Sequence, residues 1–568
     1  MIHPDRSASD AATALAAVAG PEAGPGVGNG RDGDGAQPAA ASPQLAAKLG
    51  LRYLPHPEQQ AVSAAFLERV PIAYARRHVM LGLAASGASM PVAIADAAAM
   101  DCADALGRLM GRSIEPVLAP REAILAAINA AYQQRSGQTE AMIESLGDDG
   151  GDTGRVLAEA ASLAAEPAEG DLLDDGGRAP VIRLVNQLLF EAVKMLASDV
   201  HVQPCEDRVV VRMRIDGVLF DAFTLPAALR EEMVSRLKVM GRMNIAEKRL
   251  PQDGRATVQV GDRVIDLRLS VVPTSHGERV VVRLLDKSAR LYTLEELGMP
   301  GSTLAGFREL IGIEHGLVLV TGPTGSGKTT TLYAALQQLN STESNVLTLE
   351  DPIEYQLAGI SQIQVATRKG MTFASGLRSV LRQDPDIIMV GEVRDHETAV
   401  LAIQSALTGH LVFSTLHTND AASAVTRLLD LGTEAYLVAS SVVGVMAQRL
   451  VRRICDQCAV ALAPDEAQQQ IARIGGDGGG ADLSRMRRGV GCEQCRGTGY
   501  RGRLGLFELL MVDDPMRRLI QQQAAASQLK QVGVESGMRT LLDDGRVKVL
   551  DGVTTVQEVM RVTLRATR

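Results

Sequence analysis

An octapeptide from Gly322 to Thr329, GPTGSGKT, has the residue types and spacing of a loop that binds nucleotide phosphates. Its glycines let backbone N–H groups curl around phosphate oxygens, which side chains there would obstruct. Lys328 can reach the β- and γ-phosphates, and the Thr329 hydroxyl can ligate Mg²⁺. Because the motif follows the apolar strand LVLV and opens a helix, it predicts an ATP site. The residues predicted to contact the nucleotide are Gly322, Pro323, Thr324, Gly325, Ser326, Gly327, Lys328, Thr329 and Thr330.

Acidic residues and histidines follow the next apolar strands. Glu392 comes after the strand DIIMV, where a carboxylate next to a phosphate loop can hold the water shell of Mg²⁺. The segment EDPIE at 350–354 ends another strand and offers three carboxylates, one of which is a candidate to polarise the attacking water. A third strand, LVFSTL, lies between His410 and His417, and a histidine there either senses the γ-phosphate or packs in the fold.

The cysteines predict a metal site. Two Cys-x-x-Cys pairs can surround one Zn²⁺ tetrahedrally, and cytosolic thiols stay reduced, which favours metal over disulfide. The 33 residues between the pairs exceed the usual ribbon spacing, but doubling a loop costs only about 0.6 kcal/mol. With four thiolates the site is closed and structural, and its predicted ligands are Cys455, Cys458, Cys492 and Cys495. Cys102 and Cys205 have no partners at metal spacing and are predicted to be buried thiols.

The elements that position these residues occupy a chain of 568 residues, which is too long for one core and predicts three or four folded units. Residues 1–43, rich in Gly, Ala, Pro and Asp, are predicted to be disordered. Residues 44–135 have apolar positions at helical spacing and one strand-like segment, IEPVLA, which predicts a small helix-rich domain. The acidic, Gly-rich stretch 136–178 is predicted to be a linker.

Two further units are predicted downstream. From 179 to 290 a helix is followed by runs with period-two alternation, such as ERVVVRLL, which predict a sheet with one wet face. From 291 to 568 short, apolar strands alternate with helical segments, which predicts the buried, mainly parallel sheet of an α/β ATPase core. The cysteine pairs define a metal subdomain at 450–505 within it.

Composition narrows the function class. A net charge of -9 and a pI near 5.6 argue against a general nucleic-acid binder. The sequence has no uninterrupted apolar run of about 18 residues, the length that crosses a bilayer. Its start also lacks the basic and apolar segments of a secretory signal. These features predict a cytoplasmic protein whose membrane association is peripheral.

Four blocks of the sequence resemble the Walker A, aspartate, Walker B and histidine boxes of the secretion ATPase superfamily: GPTGSGKTT, LEDPIEY, GLRSVLRQDPDIIMVGEVRD and TGHLVFSTLHTN. More narrowly, the chain resembles the type II secretion ATPases, the general secretory pathway protein E family, from about Leu45 to the C-terminus. Asp199 and His201 stand in an SDVH segment where that family usually has SDIH. The resemblance implies a RecA-like P-loop core preceded by a PAS-like α+β domain, and GCEQCRGTGYRGR is similar to the family's tetracysteine domain.

The resemblance also implies roles for individual residues. Glu354 would be the catalytic carboxylate and Glu392 the Walker B acid, with Lys328 and His417 in the same site. Negative charge that accumulates on the transferring phosphoryl oxygens needs cations that arrive when the site closes. Arginines can supply this charge, although each of them could instead form a surface salt bridge. The family places such cations at domain and subunit boundaries, and the matching residues are Arg268, Arg283, Arg378, Arg382 and Arg394.

The implied protein is a homohexamer that uses ATP, Mg²⁺ and Zn²⁺ to power type II secretion of folded proteins. Its N-terminal domain would dock on the inner-membrane L component and its core would push on the F component during pseudopilus growth, on the cytoplasmic face of the inner membrane. Two alternatives stay open. A type IV pilus assembly motor commonly begins with an Arg-Leu-Gly-x-x-Leu motif, which is not found near the start here. A RecA-like nucleic-acid motor is disfavoured by the acidic balance and by the aspartate, histidine and cysteine motifs.

Overall fold

The computed structural model describes residues 41–70, 72–84, 89–96, 100–135, 180–260, 263–286, 291–475 and 482–563. The segment predicted to be disordered, up to residue 40, and the predicted acidic linker lie outside this range. The chain divides into two compact units between Ser288 and Ala289. None of the described helices is both long and apolar enough to span a bilayer.

Within residues 41–135, the described part of the N-terminal unit forms a four-stranded sheet and five helices. The spatial order of the strands is β1-β4-β3-β2, and they comprise β1 (Arg52–Tyr53), β2 (Met80–Gly82), β3 (Ser89–Ile94) and β4 (Ser113–Leu118). The sequence indicates only β4, because β1 and β2 are too short to show a period-two pattern and β3, SMPVAI, is mostly apolar without one. The helices are α1 (Pro43–Leu49), α2 (Ala64–Arg69), α3 (Ile72–Arg77), α4 (Met100–Met110) and α5 (Arg121–Arg135).

A six-stranded antiparallel sheet follows in the same unit. Along the strand 263–274, Ile265, Leu267 and Leu269 are buried, whereas Asp266 and Arg268 between them are partly exposed, which is the predicted pattern of one apolar and one polar face. The spatial order is β7-β6-β5-β10-β9-β8. The elements are α6 (Pro180–Lys194), β5 (Ala197–Pro204), β6 (Arg208–Ile215), β7 (Val218–Pro226), α7 (Arg230–Met240), β8 (Gln252–Val260), β9 (Arg263–Thr274) and β10 (Gly277–Asp286).

The C-terminal unit contains a seven-stranded sheet in the order β13-β12-β14-β15-β11-β16-β19. All pairs are parallel except β16 with β19, which confirms the predicted mainly parallel sheet. The strands β11, β12, β14 and β15 are buried along their whole length, as strands covered on both faces must be. The strands are β11 (Gly316–Thr321), β12 (Val346–Glu350), β13 (Ser361–Gln364), β14 (Ile387–Val390), β15 (Leu411–Leu416), β16 (Val442–Ile454) and β19 (Tyr500–Met511).

Helices connect and cover these strands. Several begin at residues that cap them: the Asp395 side chain accepts from Thr398 N and the Asp420 side chain from Ser423 N. The helices before the cysteine segment are α8 (Gly301–Ile311), α9 (Lys328–Leu339), α10 (Phe373–Val380), α11 (His396–Leu407), α12 (Ala421–Asp430) and α13 (Ala435–Ser441). Those after it are α15 (Asp514–Gln521), α16 (Ala526–Glu535), α17 (Leu541–Leu550) and α18 (Val556–Thr563).

The cysteine segment lies between the long strands β16 and β19. It contains β17 (Ala459–Ala461), α14 (Pro464–Ala472) and β18 (Arg487–Gly489). A small apolar core joins α14 to the C-terminal helices through Ile471, Val549 and Val559. Along the β16–β19 pairing the register shifts between Arg452 and Ile454, just before the first cysteine pair.

Candidate active site

Four parallel strands end at the same edge of the C-terminal sheet. Their last residues are Thr321 of β11, Glu350 of β12, Val390 of β14 and Leu416 of β15. The Thr321 and Thr418 hydroxyls lie 2.7 Å apart and so join the segments that follow β11 and β15. Because ligands of open α/β sheets bind outside the carboxyl ends of the strands, this edge is the candidate active site.

The phosphate loop between β11 and α9 requires its glycines. Gly322, Gly325 and Gly327 have φ values of 151°, 77° and 89°, which residues with a side chain rarely adopt. A Cβ on Gly322 would lie 2.5 Å from the Gln448 carbonyl oxygen, and one on Gly327 would lie 2.8 Å from Gln448 Nε2. The loop is therefore shaped by both its own backbone and the neighbouring strand β16.

Lys328 is folded back onto the phosphate loop. Its Nζ donates to the carbonyl oxygens of Gly322 at 2.7 Å and Pro323 at 3.2 Å. Burial lowers the pKa of Lys328 to about 8, against a raising effect of Glu392 and with a further lowering effect of Arg449. The ammonium thus stands in a poorly solvated position where an anion would compensate for lost hydration.

Glu392, two residues beyond β14, lies next to one of the predicted arginines, Arg394, and to His417. Its Oε2 lies 2.6 Å from Arg394 Nε and 3.5 Å from His417 Nε2. Burial and the charge of Lys328 lower the pKa of His417, although Glu392 raises it. The structure therefore groups Lys328, Glu392, Arg394 and His417 at one edge, whereas His410 packs at the other end of β15, with its Nδ1 2.8 Å from the Ser405 carbonyl oxygen.

The three carboxylates at 350–354 have different surroundings. Glu350 is buried and accepts hydrogen bonds from the Tyr333 hydroxyl, from Thr348 Oγ1 at 2.6 Å and from Gln362 Nε2 at 3.0 Å. Its lone pairs are largely occupied, which removes it from the candidates for activating water. Glu354 is half-buried, in the segment between β12 and β13.

The same segment lies beside Glu392 and its cations. The bonded carboxylate of Glu392 raises the pKa of Arg394, and the charge of Asp351 contributes to this increase. Burial and the hydrogen bond to Glu350 raise the pKa of Tyr333, and a hydrogen bond between the Glu354 backbone and the Tyr333 oxygen opposes this rise. Glu354 is therefore held next to α9, the helix that begins at Lys328.

The other predicted arginines are engaged elsewhere. Arg378 of α10 pairs with Glu397 of α11, and Arg382 Nη1 donates to the Arg378 carbonyl oxygen at 2.8 Å. Both side chains are exposed. Arg268 and Arg283 lie opposite each other on β9 and β10 of the N-terminal unit, where Arg283 Nε donates to Asp199 at 3.1 Å.

Two residues of β16 complete the phosphate loop but were missed by the sequence analysis. Gln448 Oε1 accepts from Thr331 at 2.8 Å. Arg449 is 4% exposed, and its Nη2 donates to the Asn419 carbonyl oxygen at 2.6 Å. Burial lowers the Arg449 pKa, and Glu508 raises it. The available signal was two consecutive polar residues within the apolar strand VVGVMAQRLV.

The four cysteines form one compact cluster. Their Sγ atoms all lie within 4.8 Å of one another, with separations of 3.8 Å for Cys455 and Cys492, 3.7 Å for Cys458 and Cys495, and 3.6 Å for Cys492 and Cys495. A tetrahedral ion with Zn–S bonds of about 2.3 Å requires S···S distances of about 3.8 Å. Although burial raises it, backbone N–H groups of Cys492 and Gly499 lower the Cys495 thiol pKa to about 6. The donor set therefore fits zinc. Cys102 and Cys205, predicted to be buried, are half-buried.

Comparison with known proteins covers both units. The family model described as "Type II/IV secretion system protein" matches residues 174–561, and the model described as "MshEN domain" matches residues 49–138. Type II secretion system protein HxcR of Pseudomonas aeruginosa is 50% identical over 453 residues, 76% of this chain and 92% of its own length. Type II secretion system ATPase E of Vibrio cholerae is 48% identical over 437 residues, 77% and 84% of the two chains.

A relative from pilus assembly also matches. Type IV pilus assembly ATPase PilB of Myxococcus xanthus is 43% identical over 495 residues, 87% of this chain and 86% of its own. Among solved structures, the Legionella pneumophila ATPase DotB is similar with a TM-score of 0.50 and 20% identity, covering 68% of this chain and 96% of that one, which shows the fold. The fold, the site and these matches agree, and the chain belongs to the type II/IV secretion system protein family as a P-loop ATPase of the type II secretion class.

Proposed function

We propose that this chain hydrolyses ATP as the motor of a type II secretion system, powering pseudopilus assembly and the export of folded proteins. The observation that supports this most directly is the grouping of Lys328, Glu392, Arg394 and His417 beyond the carboxyl ends of adjacent parallel strands. These are the cation, acid and sensor that phosphoryl transfer requires at one place.

The proposed roles follow from the contacts. Backbone N–H groups of the phosphate loop bind the phosphates, and Lys328 exchanges its two carbonyl partners for phosphate oxygens. Thr329 and Glu392 would hold Mg²⁺, which neutralises phosphate charge when bound. Glu354 orients and deprotonates the attacking water. Arg394 and His417, which lie beside Glu392, respond to the negative charge that the γ-phosphate adds there.

The remaining arginines and the partners belong to the assembled machine. We propose that four arginines act as cations that reach the nucleotide when a homohexamer closes: Arg268, Arg283, Arg378 and Arg382. An exposed arginine on a surface pair exchanges partners at little cost, which suits Arg378 and Arg382 to that role. The assembly works on the cytoplasmic face of the inner membrane, bound to the L component through its N-terminal domain and to the F component.

The catalytic assignment is tested by Glu354→Gln with Glu343→Gln, at an exposed loop position, as the matched control. We expect Glu354→Gln to bind ATP with an unchanged dissociation constant and to lose about 10²-fold or more in turnover. Steady-state hydrolysis and equilibrium nucleotide binding measure the two quantities. Wild-type turnover in Glu354→Gln would overturn the assignment.

A second candidate function is type IV pilus assembly, favoured by the long match to PilB. Expression of the full-length protein in a strain from which its gene has been deleted distinguishes the two functions. Restored protein export with unchanged piliation supports secretion, and restored piliation with unchanged export supports pilus assembly. The family membership leaves the nucleic-acid motor without support, and we expect no stimulation of hydrolysis by single-stranded DNA.

We propose zinc as the ion of the cysteine cluster, held by all four thiolates in a structural role. Purified protein should contain about one zinc ion per chain. Cys455→Ser should release it and lower the thermal stability of the C-terminal unit, whereas Cys205→Ser, outside the cluster, should retain the metal. Full metal content in Cys455→Ser would contradict the proposal.

A further inference from the structure

The segment that carries Glu354 has no regular secondary structure, and yet a single buried network holds it. Residues 351–357 lie between β12 and β13 without helix or strand. The Gln362 side chain of β13 forms two hydrogen bonds with the backbone of this segment. Its Oε1 accepts from Leu357 N at 2.7 Å, and its Nε2 donates to the Tyr355 carbonyl oxygen at 3.2 Å. The segment is therefore fixed by side chains rather than by a backbone ladder.

The same network joins the segment to the helix of the phosphate loop. Tyr333 of α9 is 1% exposed, and its hydroxyl donates to the Glu350 carboxylate. Gln362 Nε2 also lies 3.0 Å from Glu350 Oε1 and 3.4 Å from the Tyr333 oxygen. The rings of Tyr333 and Tyr355 meet edge to face, with centroids 4.8 Å apart.

A second link comes from Tyr355. Burial raises the pKa of Tyr355, and a hydrogen bond with the Thr330 side chain lowers it. Thr330 lies two residues after Lys328 on α9. The residues on either side of the contact thus belong to the phosphate loop helix and to the Glu354 segment.

We infer that Tyr333, Glu350 and Gln362 are positioning residues that set where the Glu354 carboxylate stands relative to the phosphate loop. The inference rests on the proposed catalytic role of Glu354. A general base works only when it is within hydrogen-bonding reach of the proton that it removes, and displacement of a catalytic group by about 1 Å can cost about 10²-fold in rate. None of the three residues needs to touch the nucleotide for this effect.

The main test is Tyr333→Phe, which keeps the ring contact but removes the hydroxyl. We expect kcat to fall about tenfold while the KM for MgATP stays within about twofold, because the phosphate loop itself is untouched. Tyr500→Phe is the matched control: it also removes a tyrosine hydroxyl bond, the 2.8 Å contact with Thr555, but far along the chain from the Glu354 segment. We expect its kcat to equal that of the wild type.

The double variant with Glu354→Gln shows whether Tyr333 acts through Glu354. Tyr333→Phe should have no further effect on kcat in the Glu354→Gln background, to within about twofold, because neighbouring residues that act as a unit are not additive. Tyr355→Phe should show the same dependence on Glu354 with a smaller loss, and it carries the test if Tyr333→Phe does not fold.

Two results would overturn the inference: wild-type kcat in a folded Tyr333→Phe, or an equal loss of kcat with and without Glu354. Failure of the proposed function is recognised separately. In that case Glu354→Gln alone turns over ATP at the wild-type rate, whatever the tyrosine variants do.

Discussion

Glu350 and Glu392 stand at the ends of two adjacent parallel strands, but the groups that face them differ. Glu350 is sealed in the core and accepts from three neutral donors. Glu392 faces Lys328, Arg394 and His417, and the side chains of Arg394 and His417 are 69% and 47% exposed. A carboxylate surrounded by neutral donors maintains a local structure, whereas one in contact with an exposed arginine and an exposed histidine can exchange partners when phosphate arrives.

The largest expected effect is that of Glu392→Gln on turnover. We expect kcat to fall by about 10²- to 10³-fold because the carboxylate proposed to hold Mg²⁺ at the phosphoryl group is lost. The free energy of unfolding should stay within about 0.5 kcal/mol of the wild type, because the Arg394 side chain that pairs with Glu392 is 69% exposed and water can replace the lost contact. Hydrolysis assays and denaturant unfolding measure these quantities. A large loss of stability would show that Glu392 resembles Glu350.

The next effect is the pH dependence of nucleotide binding. Because burial lowers the pKa of Lys328 to about 8, the nucleotide-free chain loses the Lys328 proton as pH rises through that value. Phosphate favours the ammonium, so binding takes up a proton and ATP affinity should fall by up to about tenfold per pH unit above pH 8. Calorimetry in two buffers of different ionisation enthalpy detects this proton.

Lys328→Arg supplies the control for that measurement. A guanidinium stays protonated over the whole range, so the affinity of this variant, although weaker, should not change above pH 8. Equal slopes for the wild type and Lys328→Arg would show that another group takes up the proton.

Glu350→Gln should have the opposite profile to Glu392→Gln. The new amide N–H would face hydroxyl and amide donors, so we expect the free energy of unfolding to fall by about 1–2 kcal/mol. The kcat should fall less than tenfold because the Glu354 segment shifts without losing its carboxylate. Thermal or denaturant unfolding, with Glu343→Gln as the exposed control, tests this expectation. An unchanged stability would contradict the view of Glu350 as a structural residue.

The smallest effect on stability is expected at Glu397, which forms an exposed ion pair with Arg378. Glu397→Gln should change the free energy of unfolding by less than about 0.5 kcal/mol, because exposed ion pairs are screened by solvent. The same unfolding measurement applies. A loss as large as that of Glu350→Gln would mean that exposure does not distinguish these carboxylates.

The sequence was sufficient to predict the ATP site where the chemistry is contiguous. The complete phosphate loop and the apolar strands that precede Glu350 and Glu392 predicted the parallel sheet and its carboxyl edge, which the structure confirms. The residue pattern alone could not separate Glu350 from Glu354, because three carboxylates within five residues give no information about which one is buried, and only the family resemblance pointed to Glu354.

Long-range contacts explain the remaining gaps. Gln448 and Arg449 reach the phosphate loop from a strand more than 100 residues downstream, and nothing local marks them as its neighbours. Tyr333 is similar, since a tyrosine on an apolar helix suggests only packing until its hydroxyl partner is known. In the N-terminal unit, β1 and β2 are too short to show a period-two pattern, and β3 is mostly apolar and lacks one.

The register shift in β16 separates the part of this strand beside the phosphate loop from the part that leads to the cysteines. From Gly444 to Arg452 this strand is paired residue by residue with β19, and it contacts the phosphate loop through Gln448. The irregularity falls between Arg452 and Ile454, immediately before Cys455. Strands bend at irregularities of this kind. The cysteine segment therefore branches off where the pairing is already irregular, and the regular pairing from Gly444 to Arg452 beside the phosphate loop continues without interruption.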